Sequence, residues 1–194
     1  MHVATVARRR LRLHQVWLLV SPGNPLKPAR GMASLSDRLA GARRLVDGRR
    51  IVATDIEARL GTRYTIATLR LLRRRFPRAA FVWLMGADNL VQLPRWRRWR
   101  EIVGQVVFAV MPRPTYNQRA LSGLAAHRMR PARLRASAMP TLARSHAPRW
   151  VFLPARQHTA SASAIRAALT GVSHHRQKAA LPSFSAAAWR AADR

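Results

Sequence analysis

Asp88 stands just past the apolar run at the head of Phe81-Val-Trp-Leu-Met-Gly-Ala-Asp-Asn89, and Pro94-Arg-Trp-Arg-Arg-Trp99 follows a few residues on. In an open α/β sheet, ligands sit beyond the carboxyl ends of the strands. The segment therefore gathers a carboxylate, a bare backbone at Gly86 and a flat ring at Trp96 at one strand end. A nucleotide needs these: an acceptor for ribose hydroxyls, close approach to the backbone and a face to stack on. Plainer readings compete. Asp88 would cap a helix, and Trp96 and Trp99, three apart, would share a helical face in the core. Asp88 leans toward a site because the chain holds only seven acids.

Three other segments carry chemistry. Ser21-Pro-Gly-Asn-Pro-Leu-Lys27 leaves a strand end with its backbone stiffened by two prolines. Lys27, one of two lysines in the chain, would offer an ammonium to a phosphate, and a plain surface turn fits equally well. Gly61-Thr-Arg-Tyr-Thr65 precedes a helix, where Thr62 or Thr65 would cap it. The same helix terminus offers free N–H groups and a positive dipole to an anion. Ser161-Ala-Ser-Ala-Ile-Arg166 puts two hydroxyls in a first helical turn and a guanidinium one turn later. That suits a polyphosphate, although simple capping explains it too. The histidines show no metal-ligand spacing.

The elements that must position these residues alternate. Apolar runs predict strands at 16–20, 51–54, 81–86, 106–111 and 150–153, and the run at 81–85 predicts a strand buried on both faces. Helical spacing links Leu35, Leu39, Ala42 and Val46, with Ser34 or Ser36 as cap. It also links Ile66, Leu69, Leu72 and Phe76, with Pro77 as the stop. Val3 to Leu11 reads as a helix opening the chain. Residues 118–147 read as one or two Arg-rich helices, and 161–169 as the last helix. Strands separated by helices imply an α/β fold: a mostly parallel sheet with helices on both faces.

At 194 residues the chain is long enough for one domain with a real core. The expectation is a domain over 1–170 and a poorly ordered tail over 171–194. There is no cysteine, so no disulfide and no thiolate chemistry. No apolar run reaches the ~20 residues of a membrane span, and no signal peptide is legible, so a cytoplasmic location is expected. The formal net charge is +29. Its 34 Arg and two Lys are spread along the chain, which reads as a solvated basic surface and not as a nucleic-acid face. Such a field attracts phosphate-bearing ligands.

Taken in order, six segments resemble nicotinate-nucleotide adenylyltransferase, in its Arg-rich alphaproteobacterial branch. They are Val16-Trp-Leu-Leu-Val-Ser-Pro-Gly-Asn-Pro-Leu-Lys27, Thr54-Asp-Ile-Glu57, Gly61-Thr-Arg-Tyr-Thr65, Trp83-Leu-Met-Gly-Ala-Asp-Asn89, Trp96-Arg-Arg-Trp99 and Ser161-Ala-Ser-Ala-Ile-Arg166. The resemblance implies a Rossmann-like nucleotidyltransferase fold. It implies adenylyl transfer from ATP to nicotinate mononucleotide, giving deamido-NAD and pyrophosphate, with Mg²⁺. Thr65, Trp96 and the backbone near Arg97 would hold the nicotinate ring and its carboxylate. Asn24 and Lys27 would face the mononucleotide phosphate, and Gly86 and Asp88 the ribose region. Ser161, Ser163 and Arg166 would hold the ATP phosphates, with Lys27 and Arg166 as the catalytic side chains. Whether several copies assemble stays open.

The family opens with a strand and a Gly-Gly-x-Phe-x-Pro-x-His-x-Gly-His segment, and Met1-His-Val-Ala aligns just after it. The expectation is that this first strand, central in the sheet, is missing from the chain as written. A late start or a degraded copy would explain it, and the intact later motifs favour the late start. A gap or an unpaired edge in the sheet should follow, with little adenylyltransferase activity. The competing class is a non-catalytic basic module binding RNA or another polyanion. Few aromatics, placed at strand ends, speak against it.

Overall fold

The computed structural model describes residues 2–23 and 32–155. In chain order these form α1 (His2–Arg10), β1 (Val16–Leu19), α2 (Leu35–Arg44), β2 (Ile51–Thr54), α3 (Ile56–Arg59), α4 (Thr65–Arg75), β3 (Val82–Gly86) and α5 (Ala87–Gln92). Then come α6 (Trp99–Gln105), β4 (Val107–Met111), α7 (Asn117–Ser122), α8 (Leu124–Arg128) and β5 (Trp150–Phe152). The expected strands and helices up to β4 stand within a residue or two of their predicted bounds. Ser34 caps α2 by accepting the N–H of Asp37 at 3.1 Å, and α4 ends at Arg75, just before Phe76 and Pro77. No helix among the described residues is long and apolar enough to cross a membrane.

All ladders among the described residues are parallel. β1 pairs with β2 from Val16↔Ile51 to Leu19↔Thr54, while β3, β4 and β5 pair in that order. No ladder joins β1 to β3, so each presents an edge without a strand partner among the described residues. Side chains bridge the break. Trp17 of β1 meets Phe76 and Phe81 edge-on at 5.5 and 6.3 Å between ring centroids. Leu84 of β3 and Leu18 of β1 both pack against a cluster of buried Val16, Ile51 and Ala4.

β4 is the fully buried strand, every residue of it inside. Because side chains alternate across a strand, it feeds two cores. Phe108 and Val110 join a cluster with Ile66, Leu69, Leu90 and Ile102 from the helices on one face. Val107, Ala109 and Met111 join Ala7, Leu11, Met139 and Leu142 on the other. Helices therefore cover both faces of the sheet.

Two expectations fail. The run at 81–85 was expected to be buried on both faces, yet Val82, Trp83 and Leu84 are only half-buried and Met85 alone is fully inside. β3 stands at the edge of its ladder, where β4 is central, so it is covered on fewer sides. The stretch 118–147 is also not one or two helices. It breaks into α7, α8 and 3₁₀ turns at Arg130–Ala132 and Ala136–Arg144. Gly123 ends α7, and Pro131 and Pro140 each remove a backbone donor. The predicted helix at 161–169 and the tail lie outside the described residues.

The turn into β2 rests on one carboxylate. Asp47 Oδ1 accepts the N–H groups of Ile51, Arg50 and Arg49 at 2.8, 2.8 and 3.0 Å. The bond from Ile51 does most to hold the Asp47 carboxyl below its ordinary 3.8, against a smaller opposing effect of desolvation. A carboxyl lowered in the folded state adds stability that is complete above 3.8 and is lost as pH falls through the folded value. Asp47→Asn should therefore lower the urea midpoint at neutral pH, and that deficit should shrink below the ordinary value. A deficit of constant size in urea titrations on both sides of it would refute the assignment.

Candidate active site

The carboxyl ends of β3 and β4 meet at Gly86 and Met111, which are register partners. Beyond β3, Gly86 is extended at φ −77° and ψ 159° and caps α5. A Cβ on Gly86 would lie 2.3 Å from Asp88 Oδ1 and 3.0 Å from Arg113 Nε. Only a residue without a side chain lets the carboxylate and the guanidinium rest on the backbone there.

Asp88 Oδ1 is shut off from solvent and has no hydrogen-bond partner. Its nearest cation among the described residues is Arg113, with Nε at 3.5 Å. The other five described carboxylates all accept hydrogen bonds. Asp37 takes one from Ser34, Asp47 from its turn, Asp55 from Arg59, Glu57 from Thr68 and Glu101 from Arg70. A buried carboxylate oxygen without a donor costs stability. Asp88 does not cap its helix, since Gly86 holds that place and no side-chain bond is made.

A second group lies at the start of α4. Gly61, at φ 63°, turns α3 toward it. The expected cap by Thr62 or Thr65 is not made. Tyr64 is the N-cap residue, with no side-chain bond. Thr62 faces inward instead: its hydroxyl lies 2.9 Å from that of Thr68, which donates to Glu57 Oε1 at 3.2 Å. Glu57, Thr62 and Thr68 are all buried, and their network ties α3 to α4 across the turn. Thr65 is left half-buried at a helix start with free backbone donors.

Across from it runs the turn after α5. Trp96 and Trp99 do not share a helix face. Trp96 closes the 3₁₀ turn Leu93–Arg95, and Trp99 opens α6. Both are half-buried against the larger core. Arg98 between them is left-handed, at φ 55°, so the chain reverses and exposes Arg97. The Arg97 guanidinium sits over the Tyr64 ring, 4.9 Å from its centroid, and joins the turn to the start of α4. The structure thus brings Arg97 against Tyr64, the residue before Thr65, with Trp96 next to Arg97 in the chain, and places Gly86 and Asp88 at the strand end. Asn24, Lys27, Ser161, Ser163 and Arg166 lie outside the described residues. Sequence reasoning missed Tyr64, Glu57 as a buried anchor, and Arg113. Only Arg113 had a local signal, its two flanking prolines after a strand.

Comparison with known proteins gives the family of the chain. The cytidylyltransferase-like family profile matches residues 1–168. A probable nicotinate-nucleotide adenylyltransferase of Gluconacetobacter diazotrophicus is 58% identical over 167 residues, 86% of this chain and 78% of that one. That of Gluconobacter oxydans is 54% identical over 84% of each. The chain belongs to the cytidylyltransferase-like family and, within it, to the nicotinate-nucleotide adenylyltransferases. Among solved structures, a Plasmodium falciparum nicotinic acid mononucleotide adenylyltransferase complexed with APC superposes with a TM-score of 0.46 at 12% identity, over 82% of this chain and 68% of that one.

The Glu57–Thr68–Thr62 network spans the turn between α3 and the start of α4 at Thr65. Thr68→Val keeps the shape and removes the hydroxyl from a fully buried site. The variant should lose about 1–3 kcal/mol in urea unfolding, the usual cost of stranding a buried acceptor. A loss below a few tenths would show that the network holds nothing.

Proposed function

We propose that the chain transfers the adenylyl group of ATP to nicotinate mononucleotide, giving deamido-NAD and pyrophosphate. An oxygen of the mononucleotide phosphate bonds to the α-phosphorus, and the bond to the bridging oxygen breaks, so that pyrophosphate leaves. No covalent enzyme intermediate is needed. The protein's share is positioning and charge stabilisation. The observation that carries this reading is the Arg97–Tyr64 contact. It sets the start of α4, where negative charge is favoured, beside the turn carrying the half-buried Trp96 ring. A flat anionic ring matches both features: Trp96 stacks on it, and Thr65 and the backbone near Arg97 meet its carboxylate.

Gly86 and Asp88 take the ribose side in this proposal, Asp88 accepting a hydroxyl. Asn24 and Lys27 face the mononucleotide phosphate. Ser161, Ser163 and Arg166 face the ATP phosphates, where the Lys27 and Arg166 cations offset charge in the transition state. The described residues contain no group of three or more His, Asp or Glu fit to hold a metal. A Mg²⁺ ion would travel on the ATP phosphates, as this ion is commonly bound, and would supply charge neutralisation there.

Trp96→Ala should weaken nicotinate mononucleotide binding by about 1–3 kcal/mol, the worth of one aromatic stacking contact, and change ATP binding much less. Thr65→Ala should add to that loss and erode the preference for the acid over the amide form. Titration calorimetry with the three ligands reads this directly. Mononucleotide affinity unchanged in both variants defeats the ring-site assignment. RNA binding that falls steeply with salt and ignores both changes would favour the polyanion-binding reading.

A further inference from the structure

Arg113 lies two residues beyond the end of β4, and its backbone is held in place. Pro112 and Pro114 flank it, and a residue before proline is restricted to extended conformations. Asn117, the first residue of α7, accepts the Arg113 N–H through Oδ1 at 2.8 Å. From this turn the side chain reaches across to β3. Its Nε stands 3.5 Å from Asp88 Oδ1, and both Nε and Cγ lie within 3.3 Å of the Cβ position that Gly86 leaves empty. Three observations converge: a fixed turn, a glycine whose missing Cβ makes room, and a carboxylate oxygen sealed from solvent without a donor.

Resting on the nucleotide reading of Asp88, we propose that Arg113 is a positioning residue of the site and acts through that carboxylate. Its guanidinium holds Oδ1 down against the Gly86 backbone. The two oxygens of Asp88 then differ. Oδ1 is covered, while the Asp88 side chain as a whole keeps 31% of its area exposed, so the open acceptor is Oδ2. A ligand hydroxyl donates to Oδ2 without having to reorient the carboxylate. Arg113 sets the angle of the acceptor and touches no reacting atom. A single contact of this length at a half-exposed guanidinium adds little to stability. The elaborate turn behind it is therefore explained by orientation and not by fold stability.

The test is a double-mutant cycle on the full chain, read by titration calorimetry with nicotinate adenine dinucleotide, the product that carries both riboses. Arg113→Ala should weaken binding about tenfold, within the range by which contacting residues couple, with its unfolding midpoint near that of the wild type. Asn117→Ala, which frees the turn but keeps the guanidinium, should give a smaller loss in the same direction. In an Asp88→Asn background, Arg113→Ala should have almost no further effect. If the tenfold loss persists in that background, Arg113 binds the ligand directly and the proposal is overturned. A wild-type chain that does not bind the dinucleotide counts against the function and not against the contact. The contact is read without ligand from the ¹³Cγ resonance of Asp88, which Arg113→Ala must shift, and an unmoved resonance overturns the proposal.

Discussion

The burial of β4 is the constraint from which the rest of the structure follows. Five consecutive apolar residues, Val107 to Met111, are hydrogen-bonded to strands on both edges and covered on both faces. A strand in that position has no freedom of register, because a slip of one residue would exchange its two cores. Fixing β4 fixes β3 through their shared ladder, and so fixes where both chains emerge. Gly86 and Met111 leave the sheet as partners. The residues that follow them, Asp88 and Arg113, are neighbours for that reason.

The site then grows from three loops held by different devices. The loop after β4 is stiffened by two prolines and the Asn117 side chain. The loop before α4 is tied by hydroxyls to a buried carboxylate. The loop after α5 is anchored by two half-buried tryptophans and turned by a left-handed Arg98. Such a backbone state costs about 1–3 kcal/mol in a residue other than glycine, and it persists because the rings on either side are packed. Each of these devices is made by the chain's own residues. A direct transfer between two phosphates offers the protein little covalent chemistry, so fixed geometry is most of what it can contribute.

How much of this was legible in the sequence depends on the range of the interaction. β2, the Ser34 cap and the end of α4 are local events, and the residues concerned announce them. Asp88 stands out in the sequence for a compositional reason, since the chain has only seven acids against 36 cations. The half-exposure of β3 was not legible, because edge position belongs to the sheet and not to the strand. Residues 118–147 misled because helical spacing between Gly123, Pro131 and Pro140 is too short to sustain long helices. Tyr64 with Arg97, and Asp88 with Arg113, are pairs some 25 to 33 positions apart, and no local pattern joins them.

The charge of the chain bears on the same point. A surface this basic attracts every phosphate in reach, so attraction alone cannot select a substrate. Selectivity has to come from groups that a field does not supply: a ring face, a hydroxyl at a helix start, and a carboxylate, which repels phosphate and rewards hydroxyls. Asp88 is the last of these. Among so many arginines its natural fate is a tight surface ion pair, with both oxygens covered. The fold gives it a contact of 3.5 Å to Arg113 and seats it on a glycine, with about a third of its side chain exposed. On the proposed reading, the basic field gathers phosphates, and this one acid favours those that carry a ribose.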